Sequence, residues 1–405
     1  VRFTIVIPSY WGRKLGEPFN EEDKVYDHPT PIDSEGTLGR ALEGIKLFGD
    51  DDFRVVVLGA ATHPSLVVRM EERLEEITAR FRDDFPLVFI GPSRLEQIWD
   101  YMESHGAGDL RHLLSLTGYS NIRNLCLAAA CLNGSEAAVL FDDDEVYEDP
   151  GYLKKVSESL GDVHAGDFVW GLAGYYLNAD GKYYLPRNRD WVYAEWPAVK
   201  AMNEAFSSIE TGGRLKVTPW VFGGNMVVHR HLYERVAFDP MITRGEDIDY
   251  LINARFLGYY FFLDNRLSVR HLPPPKTAPA WRRFREDVDR FVYTREKLRC
   301  RDREARGWKQ VTAGELDPYP GRFLRDDLED MVFRTSVLMG LDYLSKGDLR
   351  GFEESMANIG RARPDEDGQV SPCARYADFL ERWVELIDFL SDSSEIKAYM
   401  NGLYA

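Results

Sequence analysis

Four short apolar runs, residues 3–7, 53–58, 87–90 and 137–141, alternate with longer segments that carry the spacing of amphipathic helices, including residues 38–48 and 65–81. Runs of four to six apolar residues are too short for buried helices and fit strands covered on both faces. Strands alternating with helices form βαβ units, whose crossovers lay successive strands parallel. The expected fold class is therefore α/β with a mostly parallel sheet. After Pro273, Pro274 and Pro275 the pattern changes. Phe284, Val288, Phe291, Val292 and Leu298 lie on one helical face. Phe323, Leu324, Leu328, Met331, Val332, Thr335, Leu338 and Leu341 form a second, and Phe379, Leu380, Trp383, Val384, Leu386, Ile387 and Leu390 a third. The expected division is a catalytic core over residues 1–275 and a helical extension over 276–405.

Two long insertions interrupt the core. Residues 11–36 follow the first strand directly and are polar, whereas residues 178–218 hold Tyr183, Tyr184, Trp191, Tyr193 and Trp196 among charged side chains. Aromatic content of this kind favours an ordered binding wall over a disordered loop. The net charge of −17 argues against nucleic acid as a partner, since phosphate backbones select basic surfaces. Four cysteines, Cys126, Cys131, Cys300 and Cys373, are too few and too scattered to read as a disulfide framework or a zinc site. No apolar run is long enough to span a bilayer, and the amino terminus has no signal-peptide plan. A reducing cytoplasm is the compartment expected.

Chemistry concentrates where the fourth strand ends. Leu140 and Phe141 run straight into Asp142, Asp143, Asp144 and Glu145. If the strand continues through them, Asp142 and Asp144 share one face. Paired carboxylates on one face suit a hard divalent cation whose shell is completed by substrate phosphates. Upstream, Gly118, Tyr119 and Ser120 precede a helical pattern, with Ser120 the expected N-cap. Arg123 and Asn124 then fall in a first turn whose free N–H groups attract phosphate. Downstream, Gly223, Gly224 and Asn225 lead into a strand, and the glycines permit close approach of backbone to ligand. Glu246 and Asp247 open a helix, with Asp249 close behind. N–H groups there should keep Asp247 ionised. His271 ends the last strand-like segment.

In this order the segments resemble the nucleotide-sugar-dependent glycosyltransferases of the GT-A fold, most closely family 2. Pro8 and Tyr10 match that family's first-strand motif, and Gly118, Arg123 and Asn124 its Gly-x-x-x-x-Arg-Asn helix. Asp142 and Asp144 match its Asp-x-Asp motif. Gly223–Asn225 with Arg230 match its Gly-Gly-Asn turn, Glu246, Asp247 and Asp249 its acidic helix start, and His271 its late histidine. The resemblance covers roughly residues 3–275 and implies a Rossmann-like GT-A domain. The implied partners are a nucleoside-diphosphate sugar donor and a hydroxyl-bearing acceptor. The implied cofactor is Mg²⁺ or Mn²⁺, bound by Asp142, Asp144 and His271. Pro8, Tyr10, Arg123, Asn124, Asp142, Asp143 and Gly224 would meet the donor. Asp247 would be the general base of an inverting reaction, with Glu246 the next candidate and Asp249 orienting the helix or binding acceptor.

The chain departs from the family in two places. The second strand ends Leu58, Gly59, Ala60, Ala61, Thr62, without the acid that meets the nucleobase in relatives. The insertion at 11–36 could supply the missing contact. The Arg–Asn helix also lies unusually far from the third strand. A sugar-nucleotide pyrophosphorylase is the rival enzyme, although residues 8–13 contain a single glycine, Gly12, where it needs a glycine-rich loop. A non-catalytic carbohydrate-binding protein of the same fold is the other. The helical extension resembles nothing nameable and is expected to pack on the core or to form a homodimer.

Overall fold

A computed structural model describes residues 1–17, 22–24, 26–49, 51–186, 190–274, 278–301, 303–363 and 371–404. The boundary expected at residues 275 and 276 lies outside the described residues. The strands are β1 (Phe3–Gly12), β2 (Thr30–Pro31), β3 (Phe53–Ala61), β4 (Leu87–Ile90), β5 (Ala137–Leu140), β6 (Glu145–Val146), β7 (Val163–His164), β8 (Asp167–Phe168), β9 (Gly171–Leu177), β10 (Leu215–Val217), β11 (Met226–His229) and β12 (Phe261–His271). The first helices are α1 (Leu38–Ile45), α2 (Val67–Thr78), α3 (Pro92–Ser104), α4 (Tyr119–Leu132), α5 (Tyr152–Ser157), α6 (Ala198–Phe206), α7 (Arg230–Tyr233) and α8 (Glu246–Phe256). Five more follow: α9 (Ala280–Leu298), α10 (Leu328–Ser345), α11 (Leu349–Arg361), α12 (Pro372–Asp392) and α13 (Ser394–Gly402).

The main sheet runs β10-β12-β9-β11-β5-β1-β3-β4. Strands β5, β1, β3 and β4 are mutually parallel, whereas β11 is antiparallel to both β5 and β9. Helices on both faces bury the central strands, which is why β1 reads as a continuous apolar run rather than an alternating one. The α/β core and the helical C-terminal region are as the sequence led one to expect.

The strand order fixes where a ligand goes. From β1 the chain steps outward to β3 and β4, then returns to place β5 on the other side of β1. Such a reversal opens a crevice at the carboxyl ends of the two strands. β1 keeps its pairing with β3 through Trp11 but loses β5 after Val6. Pro8, which has no N–H to donate, sits where the ladder on that side has already ended.

The helical extension shares one hydrophobic core with the sheet. Buried Trp383, Leu386, Ile387 and Leu390 of α12 join the same cluster as Ile122, Leu125 and Ala129 of α4. Helix α4 thereby lies between sheet and extension, which explains why twelve of its fourteen residues are buried. Hydrogen bonds fasten the layer: Trp383 Nε1 donates to Tyr233 O at 2.9 Å, and the Tyr376 hydroxyl donates to Ala237 O at 2.9 Å. Cys300 and Cys373 form a disulfide across 73 residues of sequence. The four cysteines, read as too few and too scattered for a disulfide framework, thus include one bonded pair, with Cys126 and Cys131 free. Wide spacing concealed a pair that the fold of α9 against α12 brings together, and with it goes the cysteine argument for a reducing compartment.

Candidate active site

A cleft of about 1580 Å³ opens at the β1/β5 crevice. Its floor is made by Pro8 and Tyr10 from β1, Arg123 from α4, Asp142–Asp144 after β5, Gly223, the start of α8, and His271. Segments spread over more than 260 residues of sequence therefore meet at one place.

The strand does not continue through the acids, as the alternation argument required. β5 stops at Leu140, and each of the next three carboxylates takes its own partner. Asp142 Oδ1 lies 2.8 Å from Arg123 Nη2. Asp143 accepts a hydrogen bond from Ser9 Oγ at 2.7 Å, across the crevice. Asp144 Oδ2 lies 3.5 Å from His271 Nε2. That last meeting has a backbone cause: β6 pairs with the end of β12, setting His271 opposite Glu145, and Leu272 N–H donates to Asp144 O at 2.9 Å. Confining like charges away from water raises their pKa values. Burial, reinforced by the charge of Asp144, pushes Asp143 up to about 8. Burial also raises Asp142, against the pull of Arg123.

Arg123 is nearly inaccessible, at 4%. It holds Asp142 on one side and Glu246 Oε1 on the other, the latter at 3.3 Å from its Nε. The helix begins at Tyr119 after Gly118, two residues before the expected start. Arg123 therefore lies past the free N–H groups and acts through its guanidinium. Ser120 is not the N-cap; its hydroxyl donates to Ile242 O at 2.6 Å. Asn124 does not reach the cleft. Its carboxamide bonds the backbone N–H and C=O of Phe238, both at 2.8 Å, so it fixes the loop before α8.

Gly223 lines the cleft and Gly224 lies just behind it. A Cβ on Gly223 would stand 2.7 Å from Arg123 Nη2, and one on Gly224 2.1 Å from Glu145 Oε1. Both glycines are required by close approach. The expected ligand contact of Gly224 is replaced by one to protein, since its N–H donates to Tyr176 OH at 3.0 Å. Tyr176 bonds the fully buried Glu145 and stacks between Phe222 and His271, with ring centroids 4.1 and 4.6 Å away. Sequence reasoning missed both Glu145 and Tyr176, because neither belongs to a spaced motif.

Asp247 receives N–H groups from Gly223 at 3.0 Å and Ile248 at 2.7 Å. Even so, burial and the adjacent Glu246 charge push it up to about 7. The expectation that helix-start N–H groups would prevent such a rise is corrected: desolvation outweighs two hydrogen bonds here. Asp249 turns away from the cleft. It is buried against Lys297 of α9, 3.0 Å from Nζ, and accepts from Asn253 Nδ2 at 2.8 Å. Of the roles expected for Asp249, orienting α8 is the one this geometry serves.

The extension was expected to pack on the core or to form a homodimer; it also reaches the cleft, where Phe284, Asp287 and Arg290 of α9 form part of the lining, as does Tyr319. Asp27 and His28 from the first insertion line it too. Nearby, the rings of Tyr10, Tyr26 and Tyr119 pack together with centroids 4.3–5.3 Å apart.

Among the described residues no group of three His, Cys, Asp or Glu side chains converges as a metal site. Asp142 is drawn to Arg123, which leaves Asp144 and His271 as the converging pair. Two protein donors facing an open cleft fit a cation that takes its remaining ligands from substrate oxygens.

No protein-family model matches the chain, and no curated protein does. Among solved structures it is similar to the mannosyltransferase PcManGT from Pyrobaculum calidifontis in complex with GDP-Man and Mn²⁺. That similarity is at 14% identity and a TM-score of 0.42, covering 99% of this chain and 86% of that one. It is also similar to S. aureus TarS 1-349, at 12% identity and a TM-score of 0.46, over 90% and 92% of the two chains. A third structure, GalNAc-T7 with UDP, GalNAc and Mn²⁺, is 12% identical with a TM-score of 0.36, over 75% and 52%.

Proposed function

We propose that this chain is a GT-A glycosyltransferase that moves a sugar from a nucleoside-diphosphate sugar to an acceptor hydroxyl. One observation carries the reading. Arg123, Asp142, Asp144, Glu246, Asp247 and His271, the residues the resemblance implies, meet in one cleft at the topological switch point of the sheet. Asp144 and His271 would hold Mg²⁺ or Mn²⁺. When bound, the cation supplies positive charge opposite the diphosphate leaving group, where negative charge grows as the glycosidic bond breaks. Pro8, Tyr10 and Asp143 form the donor's floor, with Asp142 kept in place by Arg123. In this reading Arg123 ties the donor side to the base side, since the same guanidinium faces Asp142 and Glu246.

Asp247 is the general base. The two N–H groups fix its carboxylate, and a pKa of about 7 suits a group that must be ionised yet still basic at neutral pH. Glu246 is held by Arg123 and acts as that residue's orienting partner. The packed tyrosines and Asp27 of the first insertion support a nucleobase contact from that loop, in place of the acid absent after β3.

The experiment is a thermal-shift screen of UDP-, GDP-, ADP- and TDP-linked sugars with Mn²⁺ or Mg²⁺, followed by measurement of nucleoside diphosphate release. A ligand of the native state adds about 2.7 kcal/mol at a hundredfold excess over Kd. Failure of every sugar nucleotide to stabilise the protein, with or without metal, would overturn the reading.

A further inference from the structure

We infer that the outer half of the cleft is an acceptor subsite for an uncharged carbohydrate chain of two or more sugar units. This rests on the transferase reading above and goes beyond it by naming the acceptor class. Size gives the first argument. A pocket for one small ligand occupies roughly 300–1,000 Å³, whereas this cleft measures about 1580 Å³, which is room for a second ligand beside a sugar nucleotide.

The second argument is the chemistry of the outer wall. It is built by the 178–218 insertion and α9, with Tyr184, Leu185, Tyr193, Pro197, Met202 and Phe284 among its lining. Tyr184 is 42% exposed, its ring 4.2 Å from that of Tyr183. Tyrosine offers a flat apolar face and a polar tip, and a sugar ring offers the complement: an apolar C–H face with hydroxyls around its edge. A wall of such side chains grips successive sugars without needing charge.

Charge is the third argument. The lining of the whole cleft contains eight carboxyl groups and five Lys or Arg side chains. The outer cations already face acids: Arg244 lies 3.3 Å from Asp27, Arg290 2.9 Å from Asp287, and Lys200 3.8 Å from Glu204. Arg283 donates to the Ala278 carbonyl. A phosphate- or uronate-bearing acceptor would meet net repulsion here; a neutral one would not. The acidic balance also opposes a lipid phosphate presented at an anionic membrane. Asp247 stands at the border, bonded to Gly223 of the floor and near Arg290 of the wall, where a hydroxyl of the bound chain would find it.

The test uses the full chain on a glycan array of neutral, uronate-bearing and phosphorylated glycans. Saturation-transfer NMR with neutral disaccharides and tetrasaccharides then measures affinity in wild type, Tyr184→Ala and Tyr184→Phe. Retention of neutral glycans is expected, tighter for tetrasaccharides. Tyr184→Ala should weaken it by about two- to tenfold, the range of one aromatic contact, and Tyr184→Phe should bind near wild type. Because Tyr184 is exposed, its loss should not unfold the protein. Retention of anionic glycans only, of none, or equal affinity in Tyr184→Ala overturns the proposal. Transfer solely onto a polyprenyl phosphate would also overturn it while leaving the transferase reading intact. Neutral glycan binding without diphosphate release from any sugar nucleotide would instead support the subsite and sink the transferase.

Discussion

In the proposed transferase Asp247 is the general base, and its environment makes two separable predictions. Asp247→Asn keeps the shape and one of the two backbone hydrogen bonds, since its single oxygen can accept from only one of the Gly223 and Ile248 N–H groups. It removes the basicity, so transfer should fall by about 10²–10⁴-fold while sugar-nucleotide binding persists. In the wild type kcat/KM should rise with pH and level off above about 7, because the carboxylate is the working form. The stability consequence has the opposite direction. A carboxyl whose folded pKa is raised favours the fold while protonated and disfavours it once ionised. Between the unfolded value and about 7 the wild type therefore loses stability as pH rises. The stability of Asp247→Asn relative to wild type should thus rise between pH 4 and pH 8; denaturant titrations at the two pH values measure it. Asp144→Ala should nearly abolish diphosphate release, and excess chelator should reproduce the defect in wild type; full activity in chelator would remove the metal from the account. Much of this was legible in the sequence, because Arg123, Asp142, Asp144, Asp247 and His271 sit in spaced motifs. What the motifs could not convey was desolvation, which depends on everything packed around a residue. The burial of Asp144, which is 7% exposed, was therefore not legible.

At the scale of elements, α9 links extension and site. Lys297 near its end is completely buried, 2.6 Å from Asp239 and 3.0 Å from Asp249, with Asn253 accepting at 2.9 Å. Asp249 lies on α8, two residues from Asp247 and on the opposite side of the helix, so the buried ion pair anchors α8 from behind the cleft. Lys297→Met would leave two acids facing each other without a cation and should cost about 3–5 kcal/mol of stability, read from the denaturant midpoint. Adding Asp249→Asn should recover part of the loss. Strands β1, β3, β4 and β5 and helices α1 and α2 were readable from period alone, with boundaries moved by a few residues; β1, for example, continues to Gly12 rather than Ile7. Helices α3, α11 and α13 were not singled out. Beyond α13, Tyr404 is held by a polar contact, the Asn133 Nδ2 bond to its hydroxyl at 2.9 Å, which leaves no periodic signature. The Lys297 network was invisible for another reason: a lysine in an amphipathic helix ordinarily faces water.

Over the whole molecule, the core that spans sheet and extension means the two cannot be separated cleanly. A chain ending at Pro274 would expose the outer face of α4 and lose the α9 wall, so it should be insoluble or inactive; a soluble, monomeric, fully active truncation would contradict this. Cys300→Ser should lower stability by about 2–4 kcal/mol, provided the wild type is purified without reductant. The shared core also bears on how the protein is made. Helix α4 is synthesised well before the helix that covers it, α12, which begins at Pro372. Ribosomes add roughly 5–20 residues per second, so on the order of ten seconds or more separates the two. Throughout that interval a nearly continuous apolar surface on α4 has no native cover. The sheet cannot finish folding from the amino terminus onward as an independent domain would. Nascent chains stalled before residue 372 should therefore be bound by chaperones, and release should coincide with emergence of α12 and α13.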